Sequence, residues 1–149
     1  KTNQIFSVAL PLNVSMKAVS LYQPQSRRAD YSLDTMPMPA IWAANAWVER
    51  STAQYLPWWK NADYVTTQPA DEQVLTALWL QPGKKALLCL SNLRNEPRRI
   101  EATLNLARLG MKTIQVHDAL TAASVPTKEG TFVVDVDWER YRLIKISPE

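Results

Sequence analysis

QVLTALWL (73–80), QPGKK (81–85), ALLCLSNL (86–93), RNEPR (94–98), RIEATLNL (99–106), ARLGMK (107–112) and TIQVHDAL (113–120) run on toward GTFVVDV (130–136) and RYRLIKI (140–146). Apolar and polar residues alternate through this run, between turn signals. Short strands at close, even spacing are the pattern of an all-β sandwich or barrel. The expected fold class is mainly β: an antiparallel β-sandwich with a short helix or aromatic-rich loop segment before it. Short connections favour antiparallel hairpins between neighbouring strands.

The individual stretches sharpen this. Gln73–Leu80 is apolar on both faces and ends at Gln81-Pro82-Gly83, where Pro presets φ and Gly follows. Ala86–Leu93 is a nearly continuous hydrophobic run, as in a central strand covered on both sides. Arg99–Asn105 alternates, with Ile100, Ala102 and Leu104 inward and Arg99, Glu101, Thr103 and Asn105 outward. Leu106–Gly110 suits one helical turn closed by Gly110, and Thr113–His117 puts Ile114 and Val116 on one face. Thr131–Asp137 and Arg140–Ile146 read as a closing hairpin around Asp137–Glu139.

Upstream the signal changes. Gln4–Leu10 and Met16–Tyr22 fit strands, and residues 23–40 are polar and punctuated by Pro. From Ala40 to Leu56, Ile41, Asn45, Val48, Thr52 and Tyr55 recur at spacings of four and three, which is a helical period between Pro39 and Pro57. The expected organisation is residues 1–39 as N-terminal strands and connection, or the tail of a preceding domain, and residues 40–149 as the sandwich. Because the chain begins at Lys1 rather than Met, a leader or a whole preceding domain is expected upstream.

Composition narrows the partners. The 149 residues suffice for one domain, and 46% hydrophobic with 21% charged is a globular balance. Seventeen Lys and Arg against 14 Asp and Glu leave a net charge of +3. The basic residues are dispersed, so no nucleic acid partner is expected. No apolar run approaches the roughly 20 residues of a membrane-spanning helix, no signal peptide is visible, and no membrane partner is expected. The single Cys89 cannot form an internal disulfide or a zinc site, and mid-strand it behaves as a small hydrophobe. No metal site and no cofactor are expected.

Three pieces carry a family resemblance: GKKALLCLSNLRNEPRRIEATLNL (83–106), VHDALTAASV (116–125) and EGTFVVDVDWERYRLIKI (129–146). They comprise a Gly turn with a central strand ending in Ser-Asn, an Asp-x-Leu-Thr element, and the closing strands. Together they resemble the C-terminal β-sandwich of multidomain glycoside hydrolases of the amylase and galactosidase types. YLPWWKNADYV (55–65) ahead of them is most similar to the tail of large bacterial proteins related to glycoside hydrolase family 123. The resemblance covers about residues 40–149. It implies a non-catalytic accessory domain packed on a neighbouring catalytic domain of a longer protein, with the catalytic acids outside this chain. It further implies a secreted or periplasmic setting if that protein degrades polysaccharide. One departure stands out: where the family pattern often has Gly-Glu after Asp-x-Leu-Thr, this chain has Ala122-Ala123.

Residues that could do chemistry are few, and no catalytic residue is assigned. His117 is the only histidine and adjoins Asp118, but strand neighbours point to opposite faces, against a triad arrangement. Asp118 is better suited to organising the turn before Leu120-Thr121. Asp135 and Asp137 share a strand face, as two glycosidase acids would, yet nothing apolar surrounds them to raise one pKa. Asp71-Glu72 reads as a polar lead-in to a strand.

The aromatic residues are the sharper signal. Six Trp are present, and Trp42, Trp47, Tyr55, Trp58 and Trp59 fall within eighteen residues. Two readings stay open. The rings bury large areas and pin the segment to the sheet or to a neighbouring domain. Alternatively, Trp42, Trp58 and Trp59 form an exposed carbohydrate-binding platform. An apolar surface left by an absent neighbouring domain would also suit a homodimer.

Overall fold

The computed structural model describes Pro11, residues 38–138 and residues 140–149. The strands expected at Gln4–Leu10 and Met16–Tyr22 lie outside the described residues. The described elements are α1 (Met38–Trp47), β1 (Gln54–Leu56), β2 (Val65–Gln68), β3 (Val74–Gln81), β4 (Lys85–Asn92), β5 (Arg98–Leu104), α2 (Leu106–Leu109), β6 (Ile114–Asp118), β7 (Thr127–Lys128), β8 (Thr131–Val136) and β9 (Arg140–Pro148). They form two antiparallel sheets, one ordered β1-β3-β4-β9-β6 and the other β2-β5-β8-β7. The chain is a mainly β, sandwich-like fold.

Strand alternation explains the layers. In the five-stranded sheet Leu78, Leu88 and Ile144 are cross-strand partners. With Leu80, Leu90 and Ile146 they meet Ile100, Ala102, Phe132, Val134 and Val136 of the other sheet in one core. The alternate residues Ala77, Trp79, Leu87, Cys89 and Leu143 face the other way and form a second core with Ile41, Ala44 and Val48. The result is three layers: helix, five-stranded sheet, four-stranded sheet. β4 is buried along nearly its whole length because it is covered on both faces, as its continuous apolar run implies.

Local chemistry fixes the connections. Lys84 N–H donates to the Gln81 carbonyl at 3.0 Å across the β3–β4 turn, and Gly83 takes a φ of 70°. That left-handed conformation suits glycine. Gly110 closes α2 at φ 73°, and a Cβ on it would lie 3.0 Å from Gly83 N. The two glycines therefore let α2 dock on the β3–β4 turn, where Gly83 N–H donates to the Leu109 carbonyl at 2.8 Å. Asn105 caps α2 by accepting from Arg108 N–H at 3.2 Å.

Two expectations are corrected. The helical period read over Ala40–Leu56 holds only to Trp47. Glu49 turns left-handed at φ 52°, and its carbonyl accepts from Thr52 and Ala53. Gln54–Leu56 then pairs with β3 as a strand. Tyr55 kept the helical spacing by coincidence; as a strand residue it faces the helix layer opposite Trp79, while Leu56 faces the main core.

The closing strands, in turn, are not a hairpin. β8 pairs with β5 and β7, whereas β9 pairs with β4 and β6, so Val136 and Arg140 belong to different sheets. Likewise the β4–β5 connection crosses the sandwich rather than joining neighbours. Both sheets offer an apolar inner face, and alternation alone does not say which sheet a strand joins.

Candidate functional site

The tryptophans singled out above separate into two places. Trp42 projects from α1 on the side away from Ile41 and Ala44 and is 48% exposed. Trp58 and Trp59 follow β1 in a tight turn closed by Lys60 N–H on the Pro57 carbonyl at 2.8 Å. Their rings lie edge to face, with centroids 4.3 Å apart and planes at 90°. Trp58 is half-buried and Trp59 is 56% exposed. The structure thus joins Trp58 to Trp59, offering the face of one ring braced by the edge of the other. No ring contact joins Trp42 to that pair among the described residues.

Trp79, by contrast, is a core residue, 1% exposed. Tyr55 stacks on it at 5.5 Å and 29°, and the Arg50 guanidinium sits 5.0 Å from its ring centre. The Tyr55 hydroxyl donates to the Pro11 carbonyl, which brings an N-terminal residue to this layer. Gln81 Nε2 donates to the Val48 carbonyl at 3.0 Å, satisfying a group at the end of the α1 segment. Burial pulls the Arg50 pKa down and pushes the Tyr55 pKa up.

Two of the carboxylates, Asp118 and Asp71, are engaged structurally. Asp118 Oδ1 accepts from Leu120 and Thr121 N–H at 2.8 and 3.0 Å, and its Oδ2 lies 3.4 Å from Arg142. It organises the turn as its position implies. His117 sits on the opposite strand face, across from Lys145, while Asp118 is across from Ile144. Asp135 is 75% exposed and pairs loosely with Arg99 at 3.7 Å; Asp137 is also exposed. Asp71 accepts from Arg94 through both carboxylate oxygens at 2.8 and 3.0 Å, and this pairing holds its pKa below the usual value. Burial pushes the Cys89 thiol up to about 12, so it stays protonated. Among the described residues no three His, Cys, Asp or Glu side chains gather as metal ligands. No described helix is long and apolar enough to cross a membrane.

The Ala122 departure now has a physical meaning. Ala122 takes a φ of 61° while its N–H donates to the Asp118 carbonyl at 2.9 Å. An L-residue in this conformation costs roughly 1–2 kcal/mol, and glycine avoids that at an entropic cost of roughly 0.5–1 kcal/mol. Ala122→Gly is expected to stabilise the chain by about 0.5 kcal/mol, raising its melting temperature by roughly 1–2 °C. A calorimetric scan checks this, and a clear fall would mean that the turn is not held as described.

One cluster was not anticipated. Trp47, Gln115, His117, Lys145 and Ser147 come from α1, β6 and β9 and line one shallow cleft. In the sequence Trp47 stands out only as part of the aromatic run. The others become neighbours through β6–β9 pairing, for which the local sequence carries no signal.

No protein-family model matches the chain, and no curated protein matches it. Solved structures similar to part of it include α-galactosidase I from Mortierella vinacea, at 15% identity over 57% of this chain and 23% of that one, with a TM-score of 0.45. The α-amylase from Geobacillus thermoleovorans is 15% identical over 57% of this chain and 18% of that one, with a TM-score of 0.42. The maltogenic α-amylase AmyB from Thermotoga neapolitana is 16% identical over 66% of this chain and 22% of that one, with a TM-score of 0.43. The similar region thus spans under a quarter of each of these glycoside hydrolases.

Proposed function

We propose that this chain is a non-catalytic accessory β-sandwich of a longer glycoside hydrolase-like protein, of the family 123-related kind, and that it packs against and stabilises a neighbouring catalytic domain. The observation that carries this is the exposure of Trp42, Trp59 and Trp138, which are 48%, 56% and 50% accessible. Large rings offered to solvent are what buried interfaces use as anchors. The resemblance in residues 83–106, 116–125 and 129–146 supports the same reading. So does the engagement of Asp118 and Asp71 in turn and ion-pair chemistry.

The test compares Trp59→Ser in two settings. In the isolated chain the melting temperature should move by no more than roughly 2 °C, as for an ordinary surface change. In the longer protein the same substitution should lower it by several times as much. An equal, small effect in both overturns the packing role. Turnover of aryl glycosides by the isolated chain, abolished by a point mutation within it, overturns the non-catalytic role.

A second reading, a carbohydrate-binding module using Trp42, Trp58 and Trp59, is favoured by the exposed Trp59 ring, which packs edge to face with Trp58. Tryptophan fluorescence against soluble neutral polysaccharides tests it. A saturable shift lost in Trp59→Ser supports it, and none at millimolar sugar counts against it.

A further inference from the structure

The cleft around Trp47 has a chemistry of its own. On the outer face of the five-stranded sheet, Gln115 and His117 of β6 lie opposite Ser147 and Lys145 of β9. Trp47 closes one side, Asp118 contributes to the lining, and the space is about 260 Å³. Lys145 Nζ lies 5.3 Å from the centre of the Trp47 ring. Lys85 lies 5.9 Å from the same ring, but its charge is matched by Glu49 at 2.7 Å. Among the described residues no carboxylate is within ion-pair distance of Lys145. Asp118 in the same cleft is already held by Leu120 N–H, Thr121 N–H and Arg142. Among the described residues, then, the cleft presents one ammonium without a carboxylate partner against an aromatic wall.

We propose that this cleft binds a carboxylate-bearing sugar, a single hexuronate unit, with the carboxylate on Lys145 and hydroxyls on Ser147, His117 and Gln115. One ammonium with no guanidinium fork suits a monovalent carboxylate; a phosphate dianion is better matched by Arg or by a nest of backbone N–H groups. His117 is the direct cross-strand partner of Lys145 and Gln115 that of Ser147, with Cβ atoms about 5 Å apart within each pair and the two pairs about 7 Å apart along the strands, so the four side chains start from one patch about the size of a pyranose ring. Gln115 Nε2 is spent on the Pro148 carbonyl at 3.3 Å, which leaves its oxygen as an acceptor for a hydroxyl. At about 260 Å³ the cleft is smaller than the roughly 300–1,000 Å³ of drug-sized sites, and one ring is enough to fill it. This site is separate from the exposed tryptophans and stands whether or not the accessory role holds.

The experiment is a titration of the full 149-residue chain with sodium galacturonate, followed by amide chemical shifts at constant ionic strength. Saturable shifts are expected at Gln115, His117 and Ser147. Galactose, which lacks the charge, and acetate, which lacks the hydroxyls, should give much weaker responses at matched concentration. Lys145→Gln removes the charge and shortens the side chain while leaving it polar, and should weaken binding about tenfold or more, as for loss of a charged hydrogen-bond donor. Lys145→Arg, which keeps the charge, should bind within severalfold of the parent and serves as the folding control. The proposal is overturned by the absence of saturable shifts at these amides, by an unchanged response in Lys145→Gln, or by equal binding of acetate or galactose.

Discussion

Trp79→Ala is expected to destabilise the chain by about 3–5 kcal/mol, the usual cost of truncating a buried aromatic residue. Trp79 is the largest side chain in the layer between the five-stranded sheet and α1, where Ile41, Ala44, Val48, Leu87, Cys89 and Leu143 surround it. Truncation would leave a cavity lined by groups on two strands and a helix. It would also remove the face on which Tyr55 stacks and over which Arg50 sits. A melting temperature lower by on the order of 10 °C is expected, together with a lower denaturant midpoint. Trp79→Phe keeps an aromatic face and should cost less than half as much. If Trp79→Ala costs under about 1 kcal/mol, the helix layer is not packed on the sheet as described.

This layer was half legible in the sequence. Ala86–Leu93 announced a strand covered on both faces, because a continuous apolar run has no side to give to water. What would do the covering was harder to see. Ile41 and Val48 did carry the helical period, and both are fully buried. The same count ran on through Thr52 to Tyr55, where the backbone had already turned at Glu49 and entered β1. Spacings of three and four cannot distinguish a helix from a helix, turn and short strand when the last residues face the same layer. The three-residue β1 gains its stability from pairing with β3, which is tertiary rather than local information.

Sheet membership was illegible for a related reason. Phe132, Val134 and Val136 alternate like Leu143 does with its neighbours, and the link between β8 and β9 is short enough for a hairpin. The choice is made elsewhere, by β5 pairing with β8 and by β4 pairing with β9. The candidate sites divide along the same line. The Trp58–Trp59 pair is contiguous in the chain and could be named from it. The Lys145 cleft depends on the β6–β9 register and on where α1 ends, so no local pattern pointed to it.

Asn92→Ala is expected to cost about 3 kcal/mol, because this one fully buried side chain ties both sheet crossings together. Asn92 ends β4, where the chain leaves the five-stranded sheet. Its Nδ2 has two N–H groups for three carbonyls, those of Glu96, Val136 and Asp137 at 2.8, 3.2 and 3.2 Å, so one N–H is shared, and its Oδ1 accepts from Arg94 N–H at 3.0 Å. Val136 and Asp137 mark where the chain crosses back toward β9. Alanine would strand buried carbonyls at both crossings, and each unsatisfied group costs roughly 1–3 kcal/mol, less where water can enter. Asn92→Asp makes the sharper comparison. It keeps the acceptor for Arg94 but turns carboxylate oxygens toward three carbonyls, which raises the pKa of the new carboxyl in the folded state. Between its unfolded and folded pKa values the native state then binds more protons than the unfolded state, so stability falls as pH rises through that window. Denaturant melts should show Asn92→Asp weaker than Asn92→Ala at pH 7. On acidification below about pH 5 its deficit against the parent should narrow, since a protonated carboxyl can donate one of the lost bonds. If that deficit is the same at both pH values, the side chain is not enclosed by these carbonyls and the two crossings are held by something else.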